Sequence, residues 1–133
     1  MKTAGITILY SCLFFYTSCD SFKTNGSMIA ERKYKEGFIE GKGVRLQYVD
    51  WGGTGQVLIL ISGLGDTPFL FDSLATELSS RFHVIGYSRR FHGKSTASSG
   101  KFDNTNLVSD LVLLMDSLHL EKANLLGWSL GGN

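Results

Sequence analysis

The apolar positions after residue 36 follow two periods, which predict alternating strands and helices. Residues 57–61 form a continuous β-branched and apolar run, typical of a central strand covered on both faces. Residues 82–87 and 122–126 predict two further strands, and apolar residues recur at helical spacing within 67–78 and 105–118. Strand, helix, strand, helix, strand predicts right-handed crossovers and therefore an α/β fold, with a mostly parallel sheet and flanking helices.

Each predicted helix has one face expected to lie against the core. The first helix begins with Thr67 as the expected N-cap and Pro68 as the first helical residue. Its expected core face comprises Phe71, Leu74, Ala75 and Leu78. The second helix has an expected core face of Leu107, Leu111, Leu114 and Leu118, and an expected outward face of Asp110, Asp116 and Ser117.

A hairpin is predicted ahead of the central strand. Residues 37–49 alternate around a Gly41-Lys42-Gly43 turn. One expected face of its second strand holds Val44, Leu46 and Tyr48, and the other holds Arg45, Gln47 and Val49.

The N-terminus reads as a signal peptide over residues 1–18. Lys2 supplies a positive start, and residues 4–16 are largely apolar but shorter than the ~20 residues that span a bilayer. The junction Tyr16-Thr17-Ser18-Cys19 resembles the lipobox of bacterial lipoproteins, although that pattern usually has Leu where this chain has Tyr16. The resemblance implies that Cys19 is lipidated and that the protein is anchored to a membrane of the cell envelope. Plain secretion and a short membrane anchor remain the alternatives.

Residues 19–36 are polar, with little apolar periodicity, and are interpreted as a tether, so the folded domain is predicted over residues 37–133. The 133 residues are 43% hydrophobic and 19% charged, with a net charge of +1, typical of one globular domain or part of one. A near-neutral chain lacks the basic patch that nucleic-acid binding requires. Both cysteines fall in the first twenty residues, so no disulfide framework is expected, and no motif requires a cofactor or a metal.

The candidate chemistry lies in Gly127-Trp128-Ser129-Leu130-Gly131, directly after the last predicted strand. A strand that reverses into a helix within a few residues forces its apex residue into a strained conformation, and flanking glycines leave room for the close approach. Ser129 would occupy that apex with its hydroxyl above the sheet. The N–H of Leu130 would point the same way, ready to stabilise an oxyanion.

Residues 37–133 resemble the N-terminal half of the α/β-hydrolase superfamily, in its serine-nucleophile branch. The matching pieces are the strand at 57–61 with its turn at 62–65, the loop at 90–95 and the elbow at 127–132. The resemblance implies that Ser129 is the nucleophile, with the backbone N–H groups of Leu64 and Leu130 as oxyanion donors. It implies a small-molecule acyl substrate, such as an ester, a thioester or an amide.

The chain departs from the family pattern in two ways. Ser62, Ser88 and Phe91 stand where the family often has His, Asp and Gly, which leaves the usual salt links of Arg90 open. In this family the triad runs Ser, then Asp or Glu, then His, yet residues 130–133 contain neither an acid nor a histidine.

All three histidines precede the nucleophile. His83 is expected to face a packing layer, His92 to make a structural hydrogen bond, and His119 to lie at a helix C-terminus. The 133 residues are therefore expected to be a fragment, or the product of an interrupted gene, and inactive alone.

Three alternatives remain beside the hydrolase. A dinucleotide site at Gly63-Leu64-Gly65 lacks its third glycine, replaced by Pro68, and lacks an acid at the end of the next strand. A P-loop ending in Gly93-Lys94-Ser95 has Ser88 at its first glycine and no helix pattern behind it. A non-catalytic binding module on a hydrolase-like fold is the third.

Overall fold

The computed structural model describes residues 33–133. The predicted signal peptide, Cys19 and most of the tether predicted over 19–36 lie outside the described residues. Within them, the first strand begins at Lys35, so regular structure starts slightly before the boundary predicted at residue 37.

Six strands, two α-helices and two short 3-10 turns follow one another along the described chain. The strands are β1 (Lys35–Gly41), β2 (Val44–Gly52), β3 (Gln56–Ile61), β4 (Phe82–Tyr87), β5 (Thr96–Ala97) and β6 (Asn124–Gly127). The helices are α1 (Asp72–Leu78) and α2 (Asn104–Ser117), and the 3-10 turns span Pro68–Phe71 and Ser129–Gly132.

The strands form one mixed sheet in the order β1-β2-β4-β3-β6, with β5 paired to the start of β2. β4, β3 and β6 are parallel, whereas the β1–β2 hairpin and the β2–β4 pair are antiparallel. The α/β fold class predicted from the sequence is confirmed. In the parallel part, Ile61 pairs with Tyr87 on one side and Gly127 on the other, so the carboxyl ends of three strands meet at one edge.

The sheet is covered on both faces. Leu58 and Leu60 of β3 point into one hydrophobic cluster, which includes Phe71 and Ala75 from the region of α1. Ile59 points into the other, with Leu114 of α2. The prediction of a central strand buried on both sides is therefore confirmed. The two predicted faces of β2 also lie on opposite sides of the sheet. Val44 and Leu46 pack in the second cluster, whereas Val49 packs in the first.

The first helix differs from its prediction. The segment starts with a 3-10 turn at Pro68, and Thr67 precedes it without a capping side-chain hydrogen bond. α1 itself begins only at Asp72. Leu74 is 41% exposed, so its assignment to the core face was wrong. Phe71 belongs to the tighter 3-10 turn, and a short helix that buries Ala75 turns the adjacent Leu74 about 100° away from the core.

The second helix is close to its predicted range and is capped by Asp103, whose carboxylate accepts a hydrogen bond from the Asn106 N–H at 2.9 Å. Asp116 and Ser117 are exposed as predicted. Asp110 is buried, so its outward assignment was wrong; Arg90 neutralises it inside the protein. Neither helix in residues 33–133 combines the length and apolarity needed to cross a bilayer.

Candidate active site

The chain reverses sharply at the end of β6, and Ser129 lies at the apex of that reversal. Ser129 has φ +54°, a left-handed conformation that costs roughly 1–2 kcal/mol for a residue with a side chain. The Trp128 N–H donates to the Ile61 carbonyl at 3.0 Å, and the Gly131 N–H donates to the Trp128 carbonyl at 2.9 Å. These two bonds hold the strained turn, and the Ser129 residue is exposed above it.

Glycines on both sides of Ser129 make the turn sterically possible. A Cβ on Gly127 would overlap the Gly131 carbonyl, and a Cβ on Gly131 would overlap the Ile61 carbonyl. Backbone therefore passes directly over backbone at both positions, which only glycine permits. The 3-10 turn Ser129–Gly132 then begins at the serine itself.

The loop after β3 lies against this elbow. Gly63 to Asp66 form a turn in which the Asp66 N–H donates to the Gly63 carbonyl at 3.4 Å and Gly65 has φ +80°, as its position in a type II turn requires. Leu64, at the tip, is exposed. A Cβ on Gly63 would lie 3.2 Å from the Ser129 Cβ, so the turn and the elbow are in contact. The structure thus brings together the segments that carry Leu64, Ser129 and Leu130.

Comparison with known proteins agrees with this geometry. The sequence model of the α/β-hydrolase fold family matches residues 56–133, which is more than half of the chain. The chain belongs to the α/β-hydrolase fold family. The family assignment drawn from the sequence motifs is therefore confirmed.

Two relatives of this chain are named for the reactions assigned to them. RutD of Caulobacter segnis, a proposed carbamate hydrolase, is 32% identical over 80 residues, which cover 59% of this chain and 30% of RutD. 3-Oxoadipate enol-lactonase 2 of Acinetobacter baylyi is 27% identical over 95 residues, covering 71% of this chain and 36% of the lactonase. The chain thus spans about a third of the length of these two relatives.

A solved hydrolase from Pseudomonas aeruginosa superimposes with a TM-score of 0.69 at 31% identity. The match covers 74% of this chain and 38% of the Pseudomonas hydrolase. Structural similarity therefore extends over most of the residues that the structure describes, including the hairpin ahead of residue 56.

The loop after β4 in this member of the α/β-hydrolase fold family is held by a neutral hydrogen-bond network. The Ser88 hydroxyl donates to the Gln47 amide oxygen at 3.0 Å, and the Ser95 hydroxyl donates to the Ser88 carbonyl at 2.7 Å. The Gln47 N–H in turn donates to the Ser95 hydroxyl at 2.9 Å. Ser88 therefore anchors the loop to β2 without a charge, although the family often has Asp there. Phe91, where the family often has Gly, adopts the left-handed φ of +65° that suits glycine.

Arg90 forms a buried two-point ion pair with Asp110 of α2. Its Nε and Nη2 atoms each lie 2.7 Å from a carboxylate oxygen, and the side chains are 4% and 2% exposed. Hydrogen bonding to Asp110 raises the pKa of the Arg90 guanidinium above its ordinary value. The sequence alone did not identify Asp110 as the ion-pair partner of Arg90. The available signal was the position of Asp110 between Leu107 and Leu114, on the apolar face of α2.

Arg89 is a buried residue beside the elbow that the sequence analysis did not single out. Its Nη1 donates to the Leu130 carbonyl at 3.4 Å, while Nε and Nη2 find no hydrogen-bond partner among residues 33–133. Burial lowers the pKa of Arg89. Burial also raises the pKa of the neighbouring Tyr87, with a further contribution from the charge of Asp110. Both side chains line a cavity of about 330 Å³ between α2 and β6.

The three histidines have other roles in this part of the chain. His83 Nε2 lies 2.9 Å from an Asp50 carboxylate oxygen, and buried His92 contacts the Arg90 carbonyl through Nδ1 at 2.9 Å. His119 lies two residues after the end of α2, where its N–H donates to the Asp116 carbonyl at 3.1 Å. Within residues 33–133, no histidine hydrogen-bonds to Ser129, so none is in place as its base.

The phosphate-binding alternatives do not fit the described residues. Lys94 pairs with Glu36 at 2.6 Å, and the Ser95 hydroxyl belongs to the network under the loop, so neither is directed at a phosphate. The turn at Gly63 leads into a four-residue 3-10 turn rather than directly into an α-helix. Among the described residues, no group of three His, Cys, Asp or Glu side chains is arranged to hold a metal ion.

Proposed function

We propose that this chain supplies the nucleophile and the oxyanion donors of a serine hydrolase acting on esters, thioesters or amides. The observation that carries the proposal is the positive φ of Ser129 between two glycines that have no room for a side chain. Such strain persists only where the surrounding structure enforces it, and it clusters at functional sites. A serine raised on this turn presents its hydroxyl to a substrate while the backbone around it stays fixed.

The reaction would proceed by acyl transfer. The Ser129 hydroxyl oxygen attacks the acyl carbon, its proton passes to a general base, and the carbonyl oxygen becomes an oxyanion. The N–H groups of Leu64 and Leu130 would receive that oxyanion, a contribution worth about 10²–10³-fold in turnover for one donor. The leaving alcohol, thiol or amine takes the proton from the base, and water then releases the acyl group from Ser129.

The two named relatives support this class of substrate. A carbamate and an enol-lactone both contain an acyl carbon bonded to nitrogen or oxygen, the kind of centre that an activated serine attacks. The chain covers only 30–36% of those proteins. The proposal therefore names acyl substrates as a class and does not choose among esters, thioesters and amides.

We infer that the general base and its acid lie outside these 133 residues. In the family's chain order both follow the nucleophile. His83 and His92 are engaged with Asp50 and with the Arg90 carbonyl, which leaves Ser129 without a base within residues 33–133. A serine hydroxyl without a base is a weak nucleophile near neutral pH.

Active-site labelling with a fluorophosphonate tests the proposal. In the full-length protein that the gene encodes, Ser129 should be labelled strongly, and Ser129→Ala should abolish both labelling and most hydrolysis of a short para-nitrophenyl ester. The 133 residues alone should label barely above background. Ser80→Ala, at an exposed serine, is the matched control and should behave as wild type. Equal hydrolysis by Ser129→Ala would reject the proposal and favour a binding module on this fold.

We also propose that the protein works at the cell envelope, held to a membrane by lipid on Cys19. The short apolar segment and the Tyr16-Thr17-Ser18-Cys19 junction support this location. A polar stretch between Cys19 and β1 suits a tether that would hold the domain away from the lipid.

A further inference from the structure

A carboxylate lies close to the proposed nucleophile. Asp66 closes the turn after β3, and its Oδ2 atom lies 3.2 Å from the position that a Cβ on Gly63 would take. The Ser129 Cβ lies 3.2 Å from that same position. The Asp66 carboxylate and the Ser129 side chain therefore flank one point of the backbone, with no side chain between them at Gly63.

The Asp66 backbone is held while its carboxylate has no partner in the described chain. The main-chain N–H donates to the Gly63 carbonyl at 3.4 Å, and the main-chain carbonyl accepts from the Ser62 hydroxyl at 3.2 Å. Between residues 33 and 133, no hydrogen bond or ion pair involves the Asp66 carboxylate. Three cations lie in the loop after β4. Arg90 and Lys94 are paired with Asp110 and Glu36, and Arg89 donates to the Leu130 carbonyl, so none of them forms an ion pair with Asp66.

An unpaired carboxylate beside a nucleophile acts on whatever substrate binds there. It accepts hydrogen bonds and donates none when ionised, so it attracts ammonium and hydroxyl groups. It repels a second carboxylate, and this repulsion strengthens as substrate binding displaces water from the site. Juxtaposed like charges are a common way to exclude a wrong ligand.

We propose that Asp66 is a specificity-determining residue. It selects acyl substrates that carry a cationic or hydroxyl hydrogen-bond donor near the scissile carbonyl, and it rejects substrates with a carboxylate there. This inference rests on the proposed function of Ser129. It goes further because it assigns a charge preference to the site.

Three para-nitrophenyl esters of similar length test the preference in the full-length protein: uncharged valerate, anionic hemiglutarate and cationic trimethylammonio-butyrate. Wild type should have the highest kcat/KM for the cationic ester and the lowest for the anionic ester. Asp66→Asn keeps the shape but removes the charge, so the cation-to-anion ratio of kcat/KM should fall about tenfold or more. The readout is the ratio of kcat/KM values, with the uncharged valerate as the reference for any general loss of activity, and added salt should shrink the wild-type ratio.

Asp116→Asn is the matched control, because it removes one charge from an exposed site on α2 and should leave the ratio unchanged. An unchanged ratio in Asp66→Asn, or an equal fall in Asp116→Asn, would overturn the role of Asp66 while fluorophosphonate labelling of Ser129 still supported the hydrolase. If Ser129 takes no label in wild type, the proposed function fails, and the assignment of Asp66 fails with it.

Discussion

Among the described residues, four that are not glycine have a positive φ, and they lie either in ordinary turns or at the carboxyl edge of the parallel strands. Lys42, in the β1–β2 turn, and His119, after α2, have positive φ where turns and helix ends commonly require it. Phe91 and Ser129 have positive φ at the carboxyl edge of the parallel strands. In doubly wound α/β sheets this edge is where ligands bind. The strain at Ser129 therefore coincides with the location expected for chemistry.

At the residue scale, the buried ion pair of Arg90 and Asp110 should contribute more to the free energy of unfolding than an exposed charge does. Arg90 and Asp110 are both buried, so removing one partner leaves the other charge unpaired inside the protein. Arg90→Met should lower the free energy of unfolding by about 3–5 kcal/mol in a urea titration. Arg81→Met, at an exposed arginine, should change it by no more than about 0.5 kcal/mol.

A second variant separates charge from packing at the same pair. Replacing both partners together, as Arg90→Met with Asp110→Leu, should recover most of the lost stability, because no unpaired charge remains. If Arg90→Met alone proved as stable as wild type, the pair would not hold the loop after β4 to α2.

At the scale of elements, the elbow depends on backbone contacts between β6, the following 3-10 turn and the end of β3. Gly127 and Gly132 lie on opposite sides of Ser129 and differ in the space around them. A Cβ on Gly127 would overlap the Gly131 carbonyl, whereas the nearest atom to a Cβ on Gly132 would be 3.7 Å away, an ordinary contact. These two glycines form a matched pair for substitution.

Gly127→Ala should abolish fluorophosphonate labelling of Ser129 in the full-length protein, because the overlap must displace the turn. Gly132→Ala should retain labelling within about a factor of two, since alanine fits and loses less backbone entropy than glycine on folding. Urea titrations of both variants would show how far the effect of Gly127→Ala remains local. Full labelling of Gly127→Ala would contradict the close approach at the elbow.

At the scale of the whole molecule, apolar side chains of α2 and β6 are exposed on one side of the described residues. Val108 is 62% exposed and Leu125 is 54% exposed, beside the cavity that Arg89 and Tyr87 line. β6 pairs with β3, and no strand covers its other edge within residues 33–133. An uncovered apolar strand edge promotes association between chains. This surface is continuous with the site, because Leu125, Gly127 and Leu130 line the same cavity.

The proposed membrane tether can be tested at the same scale. When the protein is expressed in a bacterial host, mass spectrometry of the mature N-terminus should find Cys19 as the first residue, carrying lipid. Cys19→Ser should move the protein from the membrane fraction to the soluble fraction. A mature N-terminus at another residue, or an unmodified Cys19, would exclude the lipoprotein.

Much of the fold followed from local patterns. The strand at 82–87 was predicted at its observed bounds, and 57–61 at all but its first residue, because short, β-branched apolar runs are typical of strands buried between two layers. The glycine at 127 predicted the reversal for an equally local reason, since a Cβ there would overlap the carbonyl of Gly131, four residues further on. The spacing of apolar residues and this short-range contact involve residues close together in the chain, so the sequence itself contains them. The close approach of Gly131 to Ile61 depends instead on the pairing of β6 with β3.

Tertiary structure decided the features that depend on residues far apart in the chain. Asp110 is polar in a helix that looks amphipathic, and only the approach of Arg90 makes its burial favourable. Leu74 has a core-like spacing, but a 3-10 turn before α1 rotates it into solvent. The position of Asp66 beside Ser129 arises because two parallel strands end at the same edge, and strand pairing brings their following loops together. Charge pairing and packing act through space, so the ion pair of Asp110 and the position of Asp66 near Ser129 emerged only from the folded chain.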